Sequence, residues 1–163
     1  PNLQFASGMG EIIKHGLIRD ASYYQWLKDH QAAIQAHDED VLEEMVYGSC
    51  LIKKNVVETD PKEQGIRAYL NFGHTIGHAI EKMSDFSLYH GQCVAIGMHS
   101  GAYLSFKRGH ITKDQYEDIL AMIQGFDLPV SVSDLPTPSP IKRWWAIRSN
   151  LLYWKKSGRQ LST

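Results

Sequence analysis

Two cysteines, Cys50 and Cys93, are too few for a disulfide framework, so packing must hold the fold and a reducing, cytoplasmic setting is expected. Neither sign of charge dominates. Seventeen Lys and Arg stand against 18 Asp and Glu, for a net charge of -1 with neutral histidines, which gives nucleic acid and anionic membrane surfaces no electrostatic hold. No apolar run approaches the roughly 20 residues that a membrane-crossing helix needs. Strand-like alternation is scarce, no internal repeat is visible, and no basic stretch with an apolar core marks a signal peptide. The chain opens on Pro1 rather than Met and reads as part of a longer protein. What is present is the material of one soluble domain: 163 residues, 43% hydrophobic and 21% charged.

Helical periodicity carries most of the pattern. Asp20–His37 is expected as one helix, with Tyr23, Trp26, Leu27 and Ile34 on its apolar side. Asp38 is a candidate N-cap for a second, whose apolar face would be Val41, Leu42, Met45, Val46, Ser49, Cys50, Ile52 and Val56. Asp60-Pro61 interrupts it. A third helix is predicted over about Gln64–Met83 and a fourth over about Tyr89–Arg108. The fourth carries Gly91, Ala95, Gly97, Ser100, Gly101 and Ala102, which predicts very close packing by another helix or a ligand. Thr112 with Gln115 fits a capping box that opens a last helix, ended by Gly125 at C′.

Past Leu128 the character changes. Pro129, Pro136, Pro138 and Pro140, with Ser131, Ser133, Thr137 and Ser139, predict a linker. Ile141–Thr163, with Trp144, Trp145 and Trp154, receives no assigned structure. The expectation is an all-α domain over residues 1–130, followed by a linker and tail over 131–163.

The strongest chemical signal is Asn71-Phe72-Gly73-His74-Thr75-Ile76-Gly77-His78-Ala79-Ile80-Glu81. His74 and His78 are four apart, so on a helix they share a face, and imidazole suits zinc and its neighbours. The pair reads equally well as surface histidines at chance spacing. His90 then opens the glycine-rich helix and offers a third donor. Three protein ligands with an open position is the catalytic zinc pattern. Glu11, an acid among apolar residues in Gly8–Ile18, is a candidate carboxylate ligand, or else an ordinary helix-start carboxylate. Gly8-Met9-Gly10 imitates the start of a dinucleotide-binding loop, but Ile13 stands at the third glycine and no strand precedes it.

Lys14, Lys53, Lys54 and Arg67 lie near these motifs. On one continuous helix Arg67 is two turns before His74 on the same face, with Asn71 midway. A metal beside Lys, Arg and Asn suits a substrate bearing carboxylate or phosphate. Lys54 reads better as a solvated lysine.

Taken together, Gly8–Ile18, Lys53, Glu63–Arg67, Leu70–Glu81 and His90–Met98 resemble the C-terminal helical domain of 3-dehydroquinate synthase, over about Leu3 to Pro129. The resemblance implies that Glu11, His74 and His90 hold a divalent metal, zinc or cobalt. It implies that His78 is a catalytic histidine beside the phosphate and not a ligand, against the spacing argument, and that Lys53, Arg67 and Asn71 act with it. Lys14, Lys53, Glu63, Arg67, Asn71 and His78 match substrate-binding positions.

The reaction implied is conversion of 3-deoxy-arabino-heptulosonate 7-phosphate to 3-dehydroquinate and phosphate, in the shikimate pathway. It needs NAD⁺, expected on a Rossmann-like N-terminal domain that is absent here, and the family implies a homodimer. The family's C-terminal Asp-Lys-Lys stretch has as its nearest counterpart Tyr153-Trp154-Lys155-Lys156, so the tail departs from the pattern. Another sugar-phosphate cyclase, a metal-dependent polyol dehydrogenase and a non-catalytic metal-binding fragment are the alternatives. Lys53, Arg67 and Asn71 argue against the dehydrogenase.

Overall fold

A computed structural model describes residues 2–85 and 87–135. Among them all regular structure is helical: α1 (Leu3–Arg19), α2 (Ala21–Asp29), α3 (Gln31–Gln35), α4 (Glu39–Thr59), α5 (His74–Met83), α6 (His90–Lys107) and α7 (Lys113–Gly125), with short 3₁₀ turns at Ile66–Asn71 and Val132–Asp134. The all-α expectation is met. None of these helices is long and apolar enough to cross a membrane.

α1 begins where Asn2 Oδ1 accepts from the backbone of Gln4 and Phe5. Ala6, Met9, Gly10 and Ile13 are buried along one stripe. Glu11 therefore sits in mid-helix and not at a helix start, which corrects the second reading of that residue. α1 ends at Asp20, whose carboxylate then caps α2 through Tyr23 N at 2.9 Å.

The single helix expected over Asp20–His37 is broken at His30, where ψ is 9°. There the ring Nδ1 competes with the backbone N–H for the Trp26 carbonyl, at 2.9 and 3.0 Å. Asp38 caps α4 as expected. The buried stripe of α4 is narrower than predicted. Met45, Ser49, Ile52 and Val56 face inward, while Val46 and Cys50 are exposed.

The helix expected over Gln64–Met83 does not exist as one piece. A 3₁₀ turn runs to Asn71, Phe72 is extended, and Gly73 takes a φ of 78° before α5 starts at His74. Only glycine adopts that conformation without strain.

α6 is the inner helix, with Cys93, Val94, Ala95 and Met98 fully buried. Its glycines meet backbone on two sides. A Cβ on Gly91 would lie 1.9 Å from the Ser7 carbonyl oxygen of α1, and one on Gly97 would lie 1.9 Å from the Gly73 carbonyl oxygen. The close approach predicted for this helix is real, and protein backbone makes it.

The Thr112–Gln115 capping box forms in both directions, at 3.2 and 2.8 Å. Gly125 is the last helical residue and not C′; the left-handed residue is Asp127, φ 57°. The Gly125 carbonyl instead accepts from the side chains of Gln31 and Gln35. Packing also continues past the expected boundary at 130. Val132 and Leu135 are buried with Ile80, Leu88, Cys93 and Ile96. The rest of the expected linker and the tail lie outside the described residues.

These contacts set opposite outcomes for two glycines. Gly97→Ala should destabilise by about 3 kcal/mol or more, because backbone cannot yield to the new methyl. A Cβ at Gly8, on α1, would meet nothing within 4 Å, so Gly8→Ala should gain about 0.5–1 kcal/mol. Urea midpoints of the two variants, moving to opposite sides of the parent, check this.

Candidate metal and anion site

Three helices bring the cluster together. α1 presents Glu11 and Lys14 from successive turns, α5 presents His74 and His78, and α6 presents its first residue, His90. Glu11 Oε1 lies 3.6 Å from His74 Nε2 and 3.7 Å from His90 Nε2. Both distances exceed a hydrogen bond. That oxygen is buried and has no hydrogen-bond partner, while Oε2 accepts from Lys14 Nζ at 2.7 Å.

The far nitrogens of two rings are held. His74 Nδ1 meets the Phe72 carbonyl at 3.1 Å. His90 Nδ1 meets both oxygens of Glu81, at 3.3 and 3.4 Å. Carbonyl and carboxylate oxygens only accept, so Nδ1 carries the proton in each ring, and in the neutral imidazole Nε2 then carries the lone pair. One carboxylate oxygen and two imidazole lone pairs thus face a common space. His78 is exposed, its ring centroid 5.2 Å from His74 and 5.7 Å from His90. One ring nitrogen from each of the three histidines falls within a 4.8 Å group. His78 makes no hydrogen bond among the described residues.

Burial works against the charge on Glu11, but the hydrogen bond and charge of Lys14 hold its carboxyl below the usual range. Burial draws Lys14, only 2% exposed, below its ordinary value, against the pull of Glu11; Lys53 repels it further. Burial likewise lowers His74, despite the Phe72 carbonyl, and the Lys14 charge adds to this. Around neutrality the carboxylate is ionised and the His74 lone pair is available, the protonation state a divalent metal requires.

A second polar group is built on the loop after α4. Asp60 accepts from the backbone N–H groups of Gln64, Gly65 and Arg67, at 2.9, 2.7 and 3.1 Å, and so winds up the loop after α4. In that loop Glu63 has a φ of 53°, and its Oε1 accepts from Asn71 Nδ2 at 2.9 Å. Arg67 Nη1 donates to the Pro61 carbonyl. Helical phase does not place Arg67 and Asn71 relative to His74, because the helix that argument needed is broken at Phe72–Gly73. No hydrogen bond or ion pair joins Glu63, Arg67 or Asn71 to the histidine cluster among the described residues. Lys53, exposed on α4, reaches that cluster by its charge on Lys14. Lys54 pairs with Glu58 in solvent, as read.

Sequence reading missed three residues here. Asp60 registers only as a break, Glu81 closes a motif without a role, and His15 goes unremarked. A cleft of about 680 Å³ between the α1–α2 corner and α7, lined by Gly16, Tyr24, Asp114 and Asp118 among others, contains none of the candidate residues.

Residues 8–146 match the family model described as 3-dehydroquinate synthase C-terminal. The chain belongs to that family. A 3-dehydroquinate synthase of Syntrophotalea carbinolica is 47% identical over 132 residues, which is 80% of this chain and 36% of that protein. One of Symbiobacterium thermophilum is 36% identical over 159 residues, covering 94% and 44%. The chain therefore spans less than half the length of these curated relatives. Among solved structures, ValA, a 2-epi-5-epi-valiolone synthase of Streptomyces hygroscopicus with NAD⁺ and Zn²⁺ bound, is similar with a TM-score of 0.73 and 22% identity, over 91% of this chain and 41% of that one. At that identity the likeness speaks for the fold alone. The family match runs to residue 146, into the segment read as a departing tail.

His15 follows Lys14 on α1 and is buried, its Nδ1 2.7 Å from Ser49 Oγ of α4. Its Nε2 is buried without a partner, so a second proton would have no acceptor. Burial, with the Lys14 charge, pushes its pKa down to about 4 from 6.5. Since the folded value lies below the unfolded one, the unfolded chain takes up the proton first as pH falls. This contribution to stability is complete above pH 6.5 and is lost progressively down to about pH 4. It amounts to roughly 3 kcal/mol. Denaturation of parent and His15→Gln across pH 4–7.5 should show a steeper loss in the parent; parallel curves would contradict it.

Proposed function

We propose that this chain is the metal-holding domain of a 3-dehydroquinate synthase, which converts 3-deoxy-arabino-heptulosonate 7-phosphate into 3-dehydroquinate and phosphate. One observation carries the reading: the buried, unpartnered Glu11 Oε1 between two imidazoles whose other nitrogens are already engaged. Such an oxygen is costly to bury unless a cation completes it.

Glu11, His74 and His90 are the ligands in this reading. One carboxylate and two imidazoles suit zinc or cobalt and leave a position open. When bound, the metal would supply Lewis acidity toward a substrate oxygen, and NAD⁺, expected on a domain outside this chain, would supply the hydride acceptor. His78, exposed and without a fixed hydrogen bond, moves a proton at the substrate. Lys14 holds the Glu11 carboxylate ionised and offers its remaining protons to the substrate. Lys53 and Arg67 attract and orient anionic groups, and Glu63 sets the Asn71 amide to face them. The family likeness is the support for a cytoplasmic homodimer. A sister cyclase acting on another sugar phosphate is the second reading, favoured by the fold shared with ValA.

Two measurements test this. Equilibrium dialysis against zinc should load about one ion per chain. Glu11→Gln and His90→Ala should lose more than the roughly 10–100-fold typical of an outer-sphere change, and His78→Ala should keep its metal. Loss in His78→Ala with retention in Glu11→Gln would replace the set by three histidines. Separately, the 163 residues alone, given NAD⁺, zinc and the heptulosonate phosphate, should release no phosphate. In the full-length context release should proceed, and His78→Ala should slow it by roughly 10²–10⁴-fold. Release by the 163 residues alone would remove the need for a second domain, and turnover of a different sugar phosphate by the full-length protein would favour the sister cyclase.

A further inference from the structure

Glu81 closes the histidine motif, touches neither Glu11 nor His74 by any hydrogen bond among the described residues, and has no part in the reaction outlined above. Its carboxylate nevertheless stands directly behind His90. Both oxygens lie within 3.4 Å of His90 Nδ1, at 3.3 and 3.4 Å, so one donor is shared across the carboxylate. The Glu81 side chain is 16% exposed and that of His90 41%, so the acid forms the inner wall and the ring the outer layer. Glu81 belongs to α5, the helix that also carries His74, and follows that residue by two turns. It therefore joins the α6 ligand candidate to the α5 one. The ring itself is the first residue of its helix, where neighbouring turns constrain a side chain least.

The two rings are also held differently. His74 rests on a neutral carbonyl and His90 on a carboxylate. An anionic acceptor at Nδ1 raises the electron density at Nε2 and fixes both tautomer and ring plane.

We infer that Glu81 is a positioning residue of the metal site, accepting the Nδ1 proton of His90 so that Nε2 faces Glu11 Oε1 with its lone pair free. This rests on the reading of Glu11, His74 and His90 as ligands. Glu81 contacts neither metal nor substrate. An ordinary Glu–His ion pair is the competing account, and it differs in one respect: it requires a proton on each ring nitrogen, which leaves no lone pair for a metal.

The test measures zinc affinity by chelator competition in the parent, Glu81→Gln and His90→Ala, together with ¹⁵N shifts of the His90 ring in the metal-free parent at pH 8. Glu81→Gln should bind zinc about 10- to 100-fold more weakly at an unchanged melting midpoint. The His90 ring in the parent should show a protonated Nδ1 and a bare Nε2. Parent-like zinc affinity in Glu81→Gln, with zinc lost from His90→Ala, would overturn the role of Glu81 and leave the ligand set standing. Equal affinity in the parent and His90→Ala would overturn the ligand set itself. If Glu81→Gln fails to fold, the ring shifts decide: a proton on Nε2, alone or on both nitrogens, defeats the proposal.

Discussion

At Gly91 and Gly97 the backbone of α6 touches the backbones of α1 and of the Phe72–Gly73 bend, and only hydrogen fits between them. This double contact brings His74 and His90 of two other helices within 4 Å of Glu11 Oε1 on α1. Had either contact been one side chain wider, the rings and the carboxylate would stand several ångströms apart. The glycines cost helix propensity, about 1 kcal/mol each relative to alanine. Their return is positional: backbone on backbone has no rotamers to rearrange, so the offsets between the three elements are fixed more tightly than side-chain packing would fix them.

The charges depend on that geometry. Lys14, itself buried and bonded to Glu11 Oε2, does most to keep that carboxyl ionised. Lys14 is thereby a resident counter-ion, and the cluster by itself carries little net charge. Around it the protein has placed acceptors and not donors: the Phe72 carbonyl for His74 and the Glu81 carboxylate for His90. Donors in those places would have turned the lone pairs outward. His15, one residue further along α1, is held uncharged by its burial against Ser49, so no third positive charge crowds the lysines.

Local signals in the sequence proved dependable where a single side chain decides the outcome. Asp38 and Thr112 cap helices as read, and Asp60-Pro61 ends α4. Longer-range phase was less legible. Gly73 looks like any helix glycine in the string, yet its left-handed turn breaks the helix on which Arg67 was placed. The same-face reasoning that does not apply to Arg67 does apply to Glu81, two turns after His74, because α5 is continuous between them. α1 escaped notice because Gly8, Gly10 and Gly16 dilute its apolar stripe, although the gaps at Gly10 and Gly16 let Gly91 and Tyr24 approach. For the cluster itself, the spacing singles out His74 and His78, whereas the family likeness points to Glu11, His74 and His90. The fold brings all four side chains together, and the distinction rests on the unpartnered oxygen and the engaged Nδ1 atoms.

Asp60 fastens its loop through three backbone N–H groups, a donor that every residue except proline carries. The shape of the loop is therefore independent of most of the side chains mounted on it. Lys62 and Gln64, both exposed, can be exchanged while the backbone that carries Arg67 and Asn71 keeps its course. An anchorage of this kind lets side chains of the segment vary without refolding it. Sequence can then drift along the loop while its backbone stays superimposable.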